Sequence, residues 1–209
     1  PYRVARALAM EVGYTATAGA KARRRVDYLI GEAHALAARV GHPHAMGLST
    51  GMAGMAEYMR GGWKRGFALL DEGEAMLRDR CVNVFWELDM VQLFAIECLA
   101  YMGEIAEVCR RVPLRLREAE ERGDLFALSM LTSGIQNTCW LAPGGVDRAR
   151  READLALERW SRDGFHVPHL LNLYAQVQID LYVGDGAGAM RRVVDRWPAL
   201  SSSLLTRVQ

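Results

Sequence analysis

Gly184-Asp185-Gly186-Ala187-Gly188-Ala189 lies between two helix-like segments, and four counterparts precede it at Pro143-Gly144-Gly145, Met102-Gly103, Gly61-Gly62 and Ala18-Gly19. From Gly19 through Gly61, Gly103 and Gly144 to Gly184 the intervals are 42, 42, 41 and 40 residues, far more regular than unrelated connections would be. A fixed period of this length marks a repeat protein. Glycine suits such a turn because, without a Cβ, it enters left-handed backbone conformations, ending one helix and letting the next fold back. The pattern specifies an architecture and a class of function, a helical scaffold that binds something.

The chain has 209 residues, 51% of them apolar, enough for a continuous core. Its formal charge of +1 gives no reason to expect nucleic acid, and Arg23-Arg24-Arg25 and Arg191-Arg192 read as solvated helix faces. Cys81, Cys98, Cys109 and Cys139 lack the close paired spacing of a zinc site and read as reduced core residues of a cytoplasmic protein. No signal peptide is evident, and no apolar run approaches the roughly 20 residues of a membrane span. The first residue is Pro1 and the last stretch, Ser203 to Gln209, reads like a helix cut short, so the expectation is a piece of a longer protein.

Taken in order, the periodicity predicts one domain of five helical pairs, over 1–40, 41–81, 82–124, 125–166 and 167–200, plus the start of a further helix. In the first pair Leu29, Ile30, Ala33, Leu36 and Ala37 share one face, and Gly41-His42-Pro43 stops the helix. In the second, Phe67, Leu70, Ala75 and Leu77 turn inward, while Asp71, Glu72 and Glu74 face water. The third opens with a helix from Val84 that is apolar on more than one face and so is buried between neighbours; its partner, Glu104 to Arg122, contains Pro113, where a kink or break is expected. The fourth takes 125–141 and 146–162. The fifth takes 168–183 and 187–197, with Pro168 in a first turn and Trp197-Pro198 closing it. No run reads as a strand.

Counted from the turn glycines, the chain resembles tetratricopeptide repeats. The small residue five places on is Gly66, Ala149 or Ala189, and Trp63, Ile105 and Val146 fill the large place two after the glycine, from which Gly186 departs. A second small place is met by Gly73 and Ala156 but broken by Arg115 and Arg196, and Val108 replaces the first small residue in the third pair. The resemblance implies an all-α, right-handed solenoid of extended repeats with a period of about 41 residues. More narrowly, the chain resembles the carboxy-terminal helical-repeat region of large multidomain bacterial serine/threonine protein kinases. That resemblance rests on Trp86-Glu87-Leu88-Asp89, Arg111-Val112-Pro113, Arg159-Trp160-Ser161 with Gly164-Phe165-His166, and Gln178 to Gly186. It implies a regulatory or partner-binding signalling segment, with any chemistry done elsewhere in a parent chain.

Signs of catalysis are weak. Gly184-Asp185-Gly186-Ala187-Gly188 follows a helix rather than a strand, which argues against a nucleotide loop, and no cofactor is expected. His166 and His169 read as capping or turn-packing residues, with no third ligand fixed nearby. Cys139 has no histidine placed to activate it, and Glu87 and Asp89, two apart, fall on different helix faces. More informative are uncharged polar residues on the first helices of the later pairs: Ser129, Thr132, Ser133, Gln136 and Asn137, then Asn172 and Gln176. In tetratricopeptide arrays first helices line the concave groove, so these residues, with Trp86, Glu87 and His169, are the candidate groove contacts; the alternative is that they satisfy one another between helices. The reading is a non-catalytic scaffold taking a protein or peptide partner, with no nucleic acid and no membrane. A small-ligand sensor, or an enzyme with a metal or nucleotide in the groove, are its alternatives.

Two further expectations follow. Open array ends should promote self-association, with Leu204, Leu205 and Val208 exposed. Ala149 and Ala189 should lie at helix crossings, so that Ala189→Leu lowers stability, whereas Gln176→Ala weakens partner binding with little loss of stability.

Overall fold

The computed structural model describes residues 1–158, 160, 161 and 163–207, and all its regular elements are helical. The chain forms two compact units, Pro1–Met102 and the residues from Gly103 onward, and each is described by itself.

The first unit holds α1 (Tyr2–Ala16), α2 (Arg23–Val40), α3 (Pro43–Met59), α4 (Trp63–Arg80) and α5 (Phe85–Tyr101). α1 packs on α2 and α3, α3 on α4, and α4 on α5. Val12, Val26, Leu29, Leu48 and Met52 form one apolar cluster, and Leu70, Leu77, Val91, Ala95 and Cys98 another. Between α3 and α4 the contact is made by backbone. A Cβ on Gly73 would lie 2.9 Å from the Gly51 nitrogen and 3.0 Å from the Gly47 oxygen, and one on Gly66 would lie 3.1 Å from the Gly54 oxygen. α5 is largely buried, as its pattern predicts, apart from Phe85 and Trp86 at its start and Tyr101 at its end.

Two side chains of α4 differ from expectation. Ala75 is exposed. Glu74 is buried, because its Oε1 accepts hydrogen bonds from Gln92 of α5 at 3.1 Å and from Arg78 at 3.0 Å. A buried carboxylate is tolerated when such donors replace water.

The second unit holds α6 (Ile105–Arg122), α7 (Leu125–Thr132), α8 (Thr138–Leu141), α9 (Val146–Glu158), α10 (Val167–Tyr182) and α11 (Gly186–Ser202). The break expected at Pro113 is absent: α6 continues through it, with Val108 and Val112 before the proline and Ala119 after it buried on the same side. α11 likewise runs through Pro198 instead of closing there. Val194 and Pro198 are exposed, where the carbonyl one turn back can tilt towards water. The single helix expected over 125–141 is interrupted instead. Ser133 is extended and Gly134 left-handed at φ +61°, and a 3-10 turn over Gly134–Asn137 leads into α8. Of the helix expected over 146–162, α9 accounts for 146–158, and Arg159 and Arg162 lie outside the described residues. At the other end of this unit the further helix is a 3-10 turn, Leu204–Arg207, with Leu204 exposed and Leu205 half-buried; Val208 lies outside the described residues.

Each turn glycine of the period is left-handed, with φ of +64° at Gly19, +78° at Gly61, +79° at Gly103, +81° at Gly144 and +84° at Gly184. A second series interleaves with them. Gly41, Asn83, Gly123 and Gly164 are also left-handed, spaced 42, 40 and 41 residues apart. Asn83 is the one non-glycine, a residue whose short polar side chain tolerates this conformation better than most.

Ala149 and Ala189 are buried, the latter on α11 where it packs against α10. Overpacking by Ala189→Leu is expected to cost about 1 to 3 kcal/mol. A thermal melt checks it, and an unchanged midpoint would show that the crossing has slack.

Candidate functional site

In the first unit, three helices meet in a buried polar chain. The Tyr2 hydroxyl donates to His44 Nδ1 at 2.6 Å, and His44 Nε2 donates to Glu87 Oε1 at 2.9 Å. Arg6 reaches the same oxygen at 3.3 Å. A carboxylate only accepts, so the imidazole proton belongs on Nε2 and Nδ1 is left to accept from tyrosine. Glu87 is thus turned inward, at 8% exposure, and ties α1, α3 and α5 together, whereas its neighbour Trp86 is 44% exposed.

In the second unit the polar set on α7 and the following turn repairs the helix break. Ser129, Thr132, Ser133, Gln136 and Asn137 are all buried. The Ser133 hydroxyl donates to the Ser129 carbonyl at 2.5 Å, and the Asn137 amide to the carbonyls of Thr132 and Ala149, each at 2.9 Å. The Thr132 hydroxyl donates to Leu128 O at 2.7 Å, and Ser129 Oγ lies 2.9 Å from Leu125 O and 3.1 Å from Ala156 O. Of these acceptors, Ser129 O and Thr132 O at the end of α7 and Ala156 O at the end of α9 are orphan carbonyls that a helix C-terminus leaves behind. Ser129 and Thr132 border a hollow of about 370 Å³ beside Leu128 and Leu155.

The set on α10 joins a network to α9 and α11. The Asn172 amide donates to Ala153 O at 2.6 Å, and Gln176 donates to Asp154 at 2.8 Å while accepting from Arg150 at 3.1 Å. One turn further on, Asp180 is clamped between Arg150 at 2.7 Å and Arg192 at 2.5 Å. Burial pushes the Asp180 carboxyl up, but the hydrogen bonds from Arg192 and Arg150 outweigh it and hold the group below its ordinary value. With both ends of its amide engaged inside the fold, Gln176 cannot be truncated cheaply, contrary to expectation; each such bond is worth about 1 kcal/mol.

At the start of α10 the His166 N–H donates to His169 Nδ1 at 3.1 Å, which fits the capping reading of the two histidines. Burial, helped by His166 and Arg196, holds His169 below the ordinary imidazole value. Its ring is therefore neutral at pH 7, with the proton on Nε2. His169, Asn172 and Gln176 share a cavity of about 200 Å³ with Leu157, Phe165 and Arg196.

The residues that sequence reasoning missed are those that bind the network: Tyr2, His44, Arg150, Asp180 and Arg192. For Asp180 a signal existed. Asn172, Gln176 and Asp180 are spaced four apart, one polar stripe along a single helix face.

Among the described residues no three His, Cys, Asp or Glu side chains gather to hold a metal ion, and no helix is long and apolar enough to cross a membrane. No protein-family model matches the chain, and no curated protein and no solved structure matches it either.

Burial pushes the Cys98 thiol up to about 12, with the charge of Glu97 adding to it, and burial also raises Cys139. Iodoacetamide at pH 8 should therefore leave Cys98 and Cys139 unmodified in the folded chain and label both in denaturant. Peptide mass mapping checks this, and native labelling of Cys139 would mean that the α7–α8 region opens.

Proposed function

We propose that the chain is a non-catalytic protein-interaction scaffold, a right-handed solenoid of tetratricopeptide-like hairpins that serves as the regulatory repeat region of a larger, kinase-like signalling protein. The two interleaved series of left-handed turns support the repeat reading. The observation that carries the function is the start of α5, where Phe85 and Trp86 are 51% and 44% exposed directly before Glu87, which His44 and Arg6 lock in place. Exposed aromatic side chains on a rigid support, with the partly exposed Arg6 alongside, have the composition of binding hot spots. The occupant is a protein segment offering an apolar side chain to Trp86 and an acidic one to Arg6.

Peptides selected from a random library against the full chain test this reading. Trp86→Ala should weaken the selected peptides by about 30-fold, equivalent to roughly 2 kcal/mol, with the melting temperature unchanged. Peptides that bind both proteins equally, or no recovered peptide, would defeat the proposal. The same reading includes self-association, because Met190, Val194 and Trp197, four and three apart on α11, are exposed. Light scattering should show mass rising with concentration, and Trp197→Asp should abolish the rise.

A further inference from the structure

Arg196 stands twelve residues after its turn glycine, the register held by Gly73 and Ala156 in the second and fourth pairs. At Gly73 even a Cβ would strike the backbone of the facing helix. Arg196 is exposed in this register, and beside it two cavities of about 200 and 610 Å³ open. They share Leu157, Phe165, His169 and Arg196, which puts both Arg196 and His169 in the lining of each.

Asp195 lines the smaller cavity and Asp154 and Glu158 the larger, yet none of these carboxylates is paired with Arg196. Arg115, the other arginine in this register, is held by Glu118 at 2.8 Å, and Arg192 by Asp180. Arg196 makes no ion pair among the described residues, not even with the adjacent Asp195. The neutral His169 adds an Nε2–H donor, since its Nδ1 is occupied by the His166 amide. Leu157, Phe165 and Leu173 supply the apolar part of the lining.

We infer that this cavity binds a small carboxylic acid with a compact apolar body, its carboxylate on Arg196 and His169 and its body against Phe165 and Leu157. The smaller cavity is below the roughly 300 Å³ that drug-sized ligands begin to need, which suits a ligand of about ten non-hydrogen atoms. Asp195 lines the same cavity, and its carboxylate can accept from an ammonium group, so a free amino acid fits the site as well as a simple acid. The site lies in the second unit, so it stands or falls independently of the peptide surface at Trp86.

Titration of the full chain with phenylacetate, phenylalanine and benzyl alcohol, followed by ligand-observed NMR, tests it. Saturable binding of phenylacetate or phenylalanine is expected at millimolar concentration, with benzyl alcohol at least about tenfold weaker. Arg196→Gln should lower the affinity for the acids about tenfold while leaving that for benzyl alcohol and the melting temperature unchanged. Tighter binding of phenylalanine, lost in Asp195→Asn, identifies amino acids as the class; tighter binding of phenylacetate identifies simple acids. No binding of either acid, equal binding of benzyl alcohol, or an Arg196→Gln chain that binds like the parent would each overturn the proposal.

Discussion

Gly73→Ala is expected to destabilise the first unit, and Gly31→Ala to stabilise it. Both glycines lie inside helices, where alanine is favoured by about 1 kcal/mol. At Gly31 nothing lies within 4 Å of the added Cβ, so that gain is realised. At Gly73 the added carbon meets the Gly51 nitrogen at 2.9 Å, the Gly47 oxygen at 3.0 Å and the Gly51 Cα at 3.1 Å. All three are backbone atoms of α3, which no rotamer change can move aside. Overpacking of this kind costs about 3 kcal/mol at the upper end of its usual range, which outweighs the propensity gain by roughly 2 kcal/mol. Urea unfolding of the two variants beside the parent measures both signs at once. A more stable Gly73→Ala chain would mean that α3 and α4 are not seated backbone to backbone.

Asp180→Ala is the second large expectation, at about 2 to 3 kcal/mol at pH 7. The buried carboxylate is the shared acceptor of Arg150 and Arg192, and its loss takes the carboxylate from two guanidiniums that are 31% and 44% exposed, Arg150 keeping its bond to Gln176. That exposure keeps the cost below the value for fully buried pairs, because the arginines can turn to water. The pH dependence has a definite sign. The carboxyl is held below its ordinary value in the folded chain, so its contribution is present above the unfolded pKa and is lost as pH falls through the folded one. Glu107 behaves alike: hydrogen bonds from Arg110 and Arg111 hold it at about 2, and its contribution fades between about 4.5 and 2. Denaturant midpoints of parent and Asp180→Ala should therefore converge as pH is lowered through the acid range. A gap that stays constant would show that Asp180 acts through packing alone.

The helical elements were legible wherever a local pattern sufficed. The turn glycines announced themselves because a left-handed residue tolerates few side chains, and the apolar spacing of Leu29, Ala33 and Ala37 fixed the buried face of α2. What escaped depended on contacts distant in sequence. Glu74 shares its run with the exposed Asp71 and Glu72, and its burial is tolerable because Gln92, eighteen residues later, joins Arg78 as a donor. The interruption before α8 was hidden because the apolar and small residues around Ser133-Gly134 continue a helical period on either side. The polar residues of α10 could be placed on one stripe. Whether that stripe faced water or α9 depended on the rotation of the helix, which Arg150 and Arg192 settle from two other elements.

The left-handed turns also bear on how such a chain can change length. At Gly19, Gly41, Gly61, Gly103, Gly123, Gly144 and Gly184 no atom lies within 4 Å of where a side chain would begin, so backbone angle alone restricts these joints. Extra residues inserted beside them would project outward and leave the packed faces in register. Gly134 is different: it is buried within the second unit with Leu171 at 3.2 Å, so a graft or a cut there would disturb its neighbours. The seven open positions are natural seams at which segments could be spliced, shortened or recombined.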